Sequence, residues 1–319
     1  MGRSKTSLLL GATGFIGRNL AKYLSEQGEQ VIGTYFHRSE RKHLNSKIRF
    51  IYCDATNKQS IERTIRFTRP TSIYYLAAQS SVRHSWQYPV QTIELNFLGG
   101  AHLFEILRRT KLKTRVLIFS SATIYGSSYR TGTALNEEAC LSPCDPYSLS
   151  KMSLDCLARL YGSLYQLDVV VARLANLTGP GQSTTFSIAN FASQIAQMEH
   201  KTKATTLHVG NLSAKRDYLD VRDGVRAIAL LMRHGKSGEA YNVSSGVSRS
   251  LKSVLHELLH LSSVKAGKVK MHFQKKLISR DEIPVIRLNS SKLRRLTGWR
   301  PLISWDQTLN DILNEWRRK

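Results

Sequence analysis

The sequence predicts an α/β fold: a doubly wound parallel β-sheet with helices on both faces, followed by a smaller mixed α/β C-terminal lobe. Three observations support this prediction. Strand-like and helix-like runs alternate over the first two-thirds of the 319 residues, a glycine-rich turn joins the first strand to the first helix, and the alternation loosens after Asn176. Strands separated by helices of this length form right-handed βαβ units and therefore a parallel sheet.

Each element follows from its own pattern of apolar residues. The predicted strands are short apolar runs bounded by glycine or polar residues: Ser7–Leu10, Val31–Tyr35, Ile48–Cys53, Ser72–Leu76, Arg115–Ser120 and Asp168–Leu174. The predicted helices have apolar residues three or four positions apart: Phe15–Gln27, Lys58–Phe67, Pro89–Thr110 and Ser148–Tyr165. This spacing places the apolar residues of a helix on one face. We expect residues 1–175 to form the main domain and residues 176–319 mainly the smaller lobe, with later segments returning to the main domain.

Composition favours a globular protein of the cytoplasm. Hydrophobic residues make up 41% of the chain, which is enough for a sizeable core. No apolar run approaches the roughly 18 residues of a membrane span, and the apolar run after the basic start is too short for a signal peptide. The four cysteines complete no zinc-binding set, so we expect reduced thiols and no metal site.

The chain is strongly basic, with 47 Lys and Arg residues against 23 Asp and Glu residues and a net charge of +24. Such a charge attracts polyanions, including nucleic acids and phosphorylated small molecules. The densest basic clusters are short and separate: Arg38–Lys42, Lys265–Lys276 and Arg317–Lys319. None is a long block interleaved with aromatic residues, which argues against a nucleic-acid partner.

A glycine motif, G-x-x-G-x-x-G, lies between the first predicted strand and the first predicted helix. Glycine allows the chain to turn sharply, to approach a pyrophosphate closely and to pack the helix against the sheet, because it has no Cβ. The N-terminus of the helix offers free N–H groups and the positive end of a dipole. The pattern predicts a dinucleotide site that includes Gly11, Thr13, Gly14, Phe15, Ile16 and Gly17.

The residues after the second and third strands predict which dinucleotide binds. No carboxylate follows the second strand until Glu40, whereas Arg38 can meet a 2′-phosphate, so NADP(H) is favoured over NAD(H). The alternative is that Arg38 is an exposed surface charge. Asp54 is placed to accept a hydrogen bond from the adenine amino group; its alternative role is the N-cap of the following helix.

Three residues suggest acid–base chemistry. Tyr147 and Lys151 are four positions apart, so they share one face of a helix, and Ser121 follows the fifth strand at the edge of the sheet where ligands bind. A lysine ammonium near a phenol lowers the phenol pKa, which would make Tyr147 a general acid or base. We expect Lys151 also to bind the nicotinamide ribose and Ser121 to hold the substrate oxygen.

These features together resemble the extended short-chain dehydrogenase/reductase family. The resemblance rests on the glycine motif, Leu76-Ala77-Ala78, Asn96, Ser120–Gly126 and Pro146–Lys151, and it covers almost the whole chain. It implies a Rossmann-type domain, a nucleotide-sugar lobe and a homodimer formed through two helices. It also implies further cofactor contacts at Ala55, Leu76, Ala77, Ala78, Asn96 and Leu174.

Segments in the second half are similar to the GDP-mannose branch of this family. They are Asn176–Gln182, Phe191–Ala196, Val209–Leu212, Arg216–Asp223 and Lys292–Pro301. The branch contains GDP-mannose 4,6-dehydratases and the GDP-6-deoxy-4-keto-D-mannose reductases that form GDP-D-rhamnose. The resemblance implies a GDP-linked deoxyhexose as substrate, with contacts from Ser80, Ser81, Ser121, Asn176, Val209, Arg216, Arg280 and Glu282. For Arg216 the alternative is a surface ion pair with Asp217 or a neighbour.

One short segment separates the two activities of the branch. The 4,6-dehydratases have Thr-Asp-Glu where this chain has Ser121-Ala122-Thr123, so the acid and the base for eliminating water are missing. Reduction of a C4 ketone by NADPH, with Tyr147 as proton donor, is therefore the preferred interpretation. The alternatives are an NDP-sugar 4-epimerase, a GDP-mannose 4,6-dehydratase and, outside enzymes, an NADPH-gated RNA-binding module.

Overall fold

The computed structural model of the chain describes residues 5–37, 39–40, 48–199, 205–264, 269–274 and 283–319. Three residues with predicted roles, Arg38, Arg280 and Glu282, lie outside the described residues. Their roles in binding the cofactor and the substrate stay predictions.

The strands of the described residues form three sheets. Their bounds are β1 Thr6–Leu10, β2 Gln30–Tyr35, β3 Arg49–Tyr52, β4 Ser72–Tyr75, β5 Arg115–Ser121, β6 Val169–Leu174, β7 Asn176–Thr178, β8 Thr205–Val209, β9 Lys215–Asp220, β10 Ala240–Val243, β11 Ser248–Ser250 and β12 Val269–Phe273. The largest sheet has seven strands in the order β10-β6-β5-β4-β1-β2-β3, and every pair in it is parallel. This confirms the predicted doubly wound sheet.

Eleven α-helices surround the sheets in the described ranges. Their bounds are α1 Phe15–Glu26, α2 Lys58–Thr68, α3 Val82–Gln87, α4 Pro89–Ile93, α5 Gly99–Thr110, α6 Pro146–Tyr165, α7 Ser187–Glu199, α8 Val221–His234, α9 Leu251–His260, α10 Ser291–Thr297 and α11 Trp305–Arg317. The single helix predicted over Pro89–Thr110 consists of α4 and α5, which are joined by a π-helical turn at Glu94–Leu98. No helix in the described part of the chain has both the length and the hydropathy needed to cross a membrane.

Two hydrophobic cores cover the two faces of the large sheet. Successive side chains of a strand point to opposite faces, and accordingly Leu9 packs into one core while Leu8 and Leu10 pack into the other. The first core includes residues of α1 and α8, and the second includes residues of α2, α5 and α6. The helices therefore shield both faces and leave the carboxyl ends of the strands as the open edge.

The part of the chain after residue 176 contributes to both regions. Helix α8 packs against α1, and β10 pairs in parallel with β6 at the end of the large sheet. The remaining strands form a three-stranded sheet, β11-β9-β7, and a two-stranded sheet, β12-β8. A third core between α7, α9 and α11 supports these small sheets. This is the smaller mixed lobe that the sequence predicts.

Candidate active site

The predicted site residues of the main domain lie at the carboxyl edge of the seven-stranded sheet. Gly11 follows β1, and the backbone N–H of Leu76, which follows β4, donates to the Leu10 carbonyl at 2.8 Å. Ser121 ends β5 and pairs in register with Leu174, the last residue of β6. In open α/β sheets ligands bind at this edge, so the strand order brings these residues into one region.

The glycine turn forms an open cradle at the start of α1. Gly11 has a φ of +91°, and a Cβ on it would lie 2.7 Å from the backbone nitrogen of Ala77. A Cβ on Gly17 would lie 2.5 Å from the Gly11 carbonyl oxygen. Gly14 is the N-cap of α1, and no side-chain hydrogen bond covers this helix N-terminus. The backbone therefore fits a dinucleotide pyrophosphate, with Thr13, Phe15 and Ile16 beside the free N–H groups.

Glu40 folds back onto this cradle, which sequence reasoning missed. Its Oε2 accepts hydrogen bonds from the Thr13 hydroxyl at 3.0 Å and from the backbone N–H groups of Phe36 and His37 at 3.2 Å and 3.4 Å. A signal was available, because Glu40 follows Gly17 by 23 residues. In dinucleotide-binding folds an acidic residue about 20 residues after the glycine motif holds the ribose 2′-hydroxyl.

Asp54 does not cap the helix that follows it. Its Oδ1 accepts from the backbone N–H and the hydroxyl of Thr56, at 2.9 Å and 2.7 Å. The N-cap of α2 is Asn57, whose side chain accepts from the Ser60 N–H at 3.0 Å. The alternative role of Asp54 as an N-cap is therefore wrong, and its adenine contact stays a prediction. The Ala55 carbonyl, a further predicted cofactor residue, packs so closely on Gly99 that a Cβ there would overlap it.

Ser121 and Tyr147 are brought together. Burial raises the pKa of Tyr147 to about 12, and the nearby Ser121 hydroxyl acts on this pKa in the opposite direction with a smaller effect. Thr123 positions Ser121, because the two hydroxyls lie 3.0 Å apart and the Thr123 N–H donates to the Ser121 Oγ at 3.2 Å. A neutral phenol beside a fixed hydroxyl can bind a carbonyl oxygen and donate a proton to it.

Lys151 is buried one helical turn from Tyr147, where its Nζ donates to the Phe119 carbonyl at 3.0 Å. Burial lowers the pKa of Lys151 to about 8. The predicted lowering of the Tyr147 pKa by the lysine charge is not found in this structure. The physical reason is that burial disfavours both charged forms, the phenolate as well as the ammonium.

Asn96 connects the edge of β4 to the helix that carries Tyr147. Its side chain is fully buried; Nδ2 donates to the Ser150 Oγ and to the Gln79 carbonyl, both at 3.0 Å, and Oδ1 accepts from the Gln79 N–H at 2.8 Å. Asn96 lies in the π-helical turn, and such turns are frequent at functional sites. The structure therefore places this predicted cofactor residue as a brace between the segment after Leu76-Ala77-Ala78 and α6.

Besides Ser121, the predicted substrate residues in the described part of the chain occupy four places. Ser80 and Ser81 follow β4, where the Ser81 hydroxyl caps α3 by accepting from the His84 N–H at 3.2 Å. Asn176 begins β7 with an exposed side chain. Val209 is buried in the core around α7, so its side chain is occupied by packing.

Arg216 lies on β9 and donates from Nη1 to the carbonyls of Lys215 and Ile283, at 2.9 Å and 2.7 Å. The carboxylate of Asp217 points elsewhere, because it is fully buried and accepts from the N–H groups of Ser245 and Gly246 at 3.0 Å and 3.1 Å. The role of Arg216 in holding a diphosphate stays a prediction.

Comparison with known proteins identifies the family. A family profile described as GDP-mannose 4,6 dehydratase matches residues 8–312. The chain belongs to the GDP-mannose 4,6 dehydratase family. The predicted resemblance to the extended short-chain dehydrogenases/reductases and to their GDP-mannose branch is thereby confirmed.

Individual members of this family differ in activity. The chain is 32% identical to the GDP-6-deoxy-D-mannose reductase of Pseudomonas aeruginosa over 250 residues. The matched region covers 78% of this chain and 81% of that protein. It is 23% identical to the human GDP-mannose 4,6 dehydratase, over 98% of this chain and 92% of that protein.

Solved structures share the fold over nearly the full length. RMD from Pseudomonas aeruginosa, complexed with NADPH, has a TM-score of 0.84 and 28% identity, covering 98% of this chain and 99% of that one. The UDP-glucose 4-epimerase of Thermus thermophilus, complexed with NAD, has a TM-score of 0.86 and 26% identity over the same shares. The fold therefore does not by itself separate a reductase from an epimerase.

Proposed function

We propose that this protein is an NADPH-dependent reductase that converts the C4 ketone of a GDP-4-keto-6-deoxyhexose, GDP-6-deoxy-4-keto-D-mannose, into the alcohol of GDP-D-rhamnose. The observation that carries this proposal is the segment Ser121-Ala122-Thr123 at the end of β5. It keeps a hydroxyl beside Tyr147 but provides neither of the two carboxylates with which the dehydratases of this branch eliminate water. The 32% identity to a GDP-6-deoxy-D-mannose reductase supports the same activity.

The carboxylate nearest to Tyr147 in the chain is not free to replace the missing pair. Asp145 is the N-cap of α6, where its Oδ1 accepts from the Ser148 N–H at 2.8 Å and its Oδ2 accepts from the Ser148 hydroxyl at 2.6 Å. Both oxygens of Asp145 are therefore engaged in capping α6. The site is therefore suited to proton donation by a phenol rather than to acid–base elimination.

In the proposed reaction NADPH supplies a hydride to C4 of the sugar. Ser121 and Tyr147 hold the ketone oxygen, and the phenol of Tyr147 donates its proton to that oxygen as the negative charge develops. A phenol with a raised pKa remains protonated at neutral pH and is ready to act as the acid. Lys151, whose ammonium is fixed by the Phe119 carbonyl, supplies positive charge on the same face of α6.

In this proposal one lobe binds the dinucleotide and the other binds mainly the nucleotide sugar. Residues 1–175, together with α8 and β10, hold the dinucleotide on the glycine turn, with Arg38, Asp54 and Leu174 as further contacts. Residues from 176 onward hold mainly the nucleotide sugar, through Asn176, Arg216 and the predicted contacts outside the described residues. The net charge of +24 favours anionic ligands, and both NADPH and a GDP-sugar are anions.

The decisive assay combines the purified protein with NADPH and enzymatically prepared GDP-6-deoxy-4-keto-D-mannose. We expect loss of the reduced-nicotinamide absorbance and formation of GDP-D-rhamnose, both abolished in Tyr147→Phe. Tyr165→Phe is the matched control, because Tyr165 is an exposed tyrosine of the same helix. Turnover by Tyr147→Phe at the wild-type rate, or no reduction of any GDP-keto-sugar, would contradict the proposal.

An NDP-sugar 4-epimerase is the second candidate, and the position of Glu40 favours it. Such an epimerase uses the same Ser, Tyr and Lys residues but keeps NAD⁺ bound. The Glu40 carboxylate reaches back to the N–H groups of Phe36 and His37, just after β2, where a ribose-binding acid acts in such folds. The dinucleotide extracted from the purified protein distinguishes the two. Tightly held NAD⁺ with interconversion of C4 epimers supports the epimerase, whereas salt-sensitive RNA binding without NADPH oxidation would support the non-enzymatic alternative.

The assembly is proposed to be a homodimer in the cytoplasm. Exposed apolar side chains lie along the outer surfaces of the π-helical turn and α6, at Leu98, Leu149, Leu160 and Leu164. Large exposed apolar patches commonly mark an interface, and these leucines would contribute to one. The four cysteines are free thiols, which suits a reducing compartment. Light scattering after size exclusion tests the dimer, and Leu164→Lys is expected to produce monomers.

A further inference from the structure

Two charged side chains from different elements hold the two peptide groups of Gly181. This residue lies in the loop that follows β7 and has a φ of +88°. Its N–H donates to Glu315 Oε2 of α11 at 2.6 Å, and its carbonyl accepts from Arg18 Nη2 of α1 at 3.2 Å. Helix α11 packs in the core of the smaller lobe, whereas α1 packs on the large sheet. Gly181 is therefore a point of connection between the two lobes.

Arg18 also contacts the glycine turn. Its Nη1 donates to the Thr13 carbonyl at 3.2 Å, so one guanidinium joins the turn to the loop after β7. The set Thr13, Arg18, Gly181 and Glu315 is defined here as the Arg18 bridge. The side chain of Arg18 is exposed, and water competes for both of its hydrogen bonds. These two bonds therefore contribute little stability by themselves, and a nearby charge can strengthen them.

A pyrophosphate on the glycine turn supplies such a charge. The Thr13 carbonyl belongs to the same peptide group as the N–H of Gly14, which is the N-cap of α1. An anion that accepts from this N–H polarises the peptide group and makes its carbonyl a better acceptor for Arg18. The negative charge also attracts the guanidinium, since Arg18 is only four residues beyond Gly14. A bound dinucleotide therefore favours the position of Arg18 from which it reaches Gly181.

The loop passes this constraint on to β7. Gln182, which follows Gly181, is buried; its Oε1 accepts from the Thr178 hydroxyl at 2.9 Å, and its Nε2 donates to the Leu177 carbonyl at 3.0 Å. Asn176, the predicted contact of the sugar nucleotide, is the first residue of the same strand. Consecutive contacts thus connect the glycine turn to the strand that is predicted to bind the substrate.

We propose that Arg18 is a positioning residue that couples the two binding sites, so that a bound dinucleotide raises the affinity of the protein for the nucleotide sugar. The inference rests on the proposed function, since it concerns the substrate of that reaction. Coupling of this kind is reciprocal, so the nucleotide sugar raises the affinity for the dinucleotide by the same factor. The complex with both ligands then forms in preference to either complex with one.

Calorimetric titration of GDP, with and without saturating NADP⁺, measures the coupling. In the wild type we expect NADP⁺ to lower the Kd for GDP about fivefold or more, and in Arg18→Ala by less than about twofold. Lys22→Ala is the matched control, because Lys22 is an exposed cation one turn further along α1 and pairs with Glu26 instead of the loop. A weaker affinity for NADP⁺ in Arg18→Ala with an unchanged coupling factor would identify Arg18 as a simple phosphate contact and overturn the proposal.

Glu315→Ala tests the other half of the bridge. It removes the acceptor of the Gly181 N–H and should also reduce the coupling factor to less than about twofold. Lys319→Ala is its control, because it removes only the ion pair at the other carboxylate oxygen of Glu315. A coupling factor as large as that of the wild type in either Arg18→Ala or Glu315→Ala would overturn the proposal.

Hydrogen exchange provides a second readout that needs no sugar nucleotide. NADP⁺ should slow amide exchange in peptides that cover residues 179–186 in the wild type and in Lys22→Ala, because the bridge then holds the loop more firmly. The same peptides of Arg18→Ala should show no such protection, and circular dichroism verifies that this variant is folded. Equal protection by NADP⁺ in the wild type and in Arg18→Ala would contradict the role of Arg18.

The possible failures are distinguishable. If NADP⁺ protects the loop only when Arg18 is present, but GDP does not bind, the proposed substrate is wrong and the link from Arg18 to the loop stands. If a GDP-keto-sugar is reduced but Arg18→Ala keeps the full coupling factor, the proposed reaction stands and the role of Arg18 is wrong. If the wild type binds no dinucleotide, both proposals are overturned together.

Discussion

Asp155 on α6 and Arg173 on β6 form a buried bidentate ion pair. The Arg173 Nε donates to Oδ2 at 2.8 Å and Nη2 donates to Oδ1 at 3.0 Å, and neither side chain is more than 1% exposed. Asp155 follows Lys151 by one helical turn, as Lys151 follows Tyr147, so the pair anchors to the sheet the face of α6 that carries Tyr147 and Lys151. Arg173 also donates from Nη1 to the Tyr125 hydroxyl at 3.0 Å.

We expect Asp155→Asn to lower the free energy of unfolding by about 3–5 kcal/mol, because it leaves a buried guanidinium without its counter-charge. Urea denaturation measures the change. Glu62→Gln breaks the exposed ion pair with Arg66 and should leave stability nearly unchanged. Equal effects of the two substitutions would show that burial does not determine the strength of the Asp155–Arg173 pair.

The glycine turn permits a matched pair of substitutions. Gly14→Ala meets no atom closer than 3.7 Å, so the protein should fold, but the new methyl group covers the open N-terminus of α1 and should weaken dinucleotide binding about tenfold or more. Gly17→Ala places a Cβ 2.5 Å from the Gly11 carbonyl oxygen and should destabilise the fold itself. Thermal unfolding and NADPH titration separate the two effects. Undiminished binding by Gly14→Ala would contradict the proposed phosphate site.

Removal of the Asn96 side chain should disconnect the segment after β4 from α6. Asn96→Ala leaves the half-buried N–H of Gln79 and the buried hydroxyl of Ser150 without this partner, which we expect to cost about 2–3 kcal/mol in the free energy of unfolding. Ser150→Ala removes one of these contacts and should cost less. Denaturant titration of both variants is the measurement, and a larger loss in Ser150→Ala would refute the bracing role of Asn96.

The dependence of activity on pH should report Lys151. Burial lowers its pKa to about 8, so its positive charge is present below that pH and is lost as the pH rises through it. We expect kcat/KM for reduction, which reflects the free enzyme, to fall above pH about 8. Tyr147, with its pKa raised to about 12, stays protonated over this range. Lys151→Arg retains the positive charge and should move the fall in kcat/KM to higher pH. A fall at the same pH in this variant would mean that another group titrates.

Stability should respond to the buried carboxyl of Asp217, whose pKa burial raises from 3.8 to about 6. Between these values the folded state holds more protons than the unfolded state, so this contribution to stability is complete below pH 3.8 and is lost as the pH rises through about 6. The total is about 3 kcal/mol. The difference in unfolding free energy between the wild type and Asp217→Asn, measured from pH 4 to pH 7, should fall by about this amount. A difference independent of pH would contradict the raised pKa.

Local sequence patterns predicted most of the large sheet. The predicted strand Arg115–Ser120 differs from β5 by one residue, and the strand Ile48–Cys53 is longer than β3 by one residue at each end. Such runs are recognisable because burial on both faces requires continuous apolar residues. The predicted helix Pro89–Thr110 contains a π-helical turn that the sequence did not predict, because one additional residue per turn hardly changes the spacing of the apolar residues.

The candidate site was predicted where its residues belong to local motifs and missed where two distant segments meet. Gly11, Ser121, Tyr147 and Lys151 were recognised by their places relative to a strand or a helix. Glu40 was passed over despite its spacing from Gly17, because that spacing alone does not show that its side chain reaches the Thr13 hydroxyl.

By itself, the sequence determined the alternation of strands and helices, the glycine turn, the order of Ser121, Tyr147 and Lys151, and the missing carboxylates of a dehydratase. These features depend on residue types and short spacings, which are fully visible in the sequence. The tertiary structure alone decided that β10 pairs with β6, that Asn96 reaches Ser150, that the Glu40 carboxylate accepts from the Thr13 hydroxyl of the glycine turn, and that burial outweighs charge in setting the Tyr147 pKa. Each of these depends on contacts between remote segments and on the exclusion of water, and both arise only when the chain is packed.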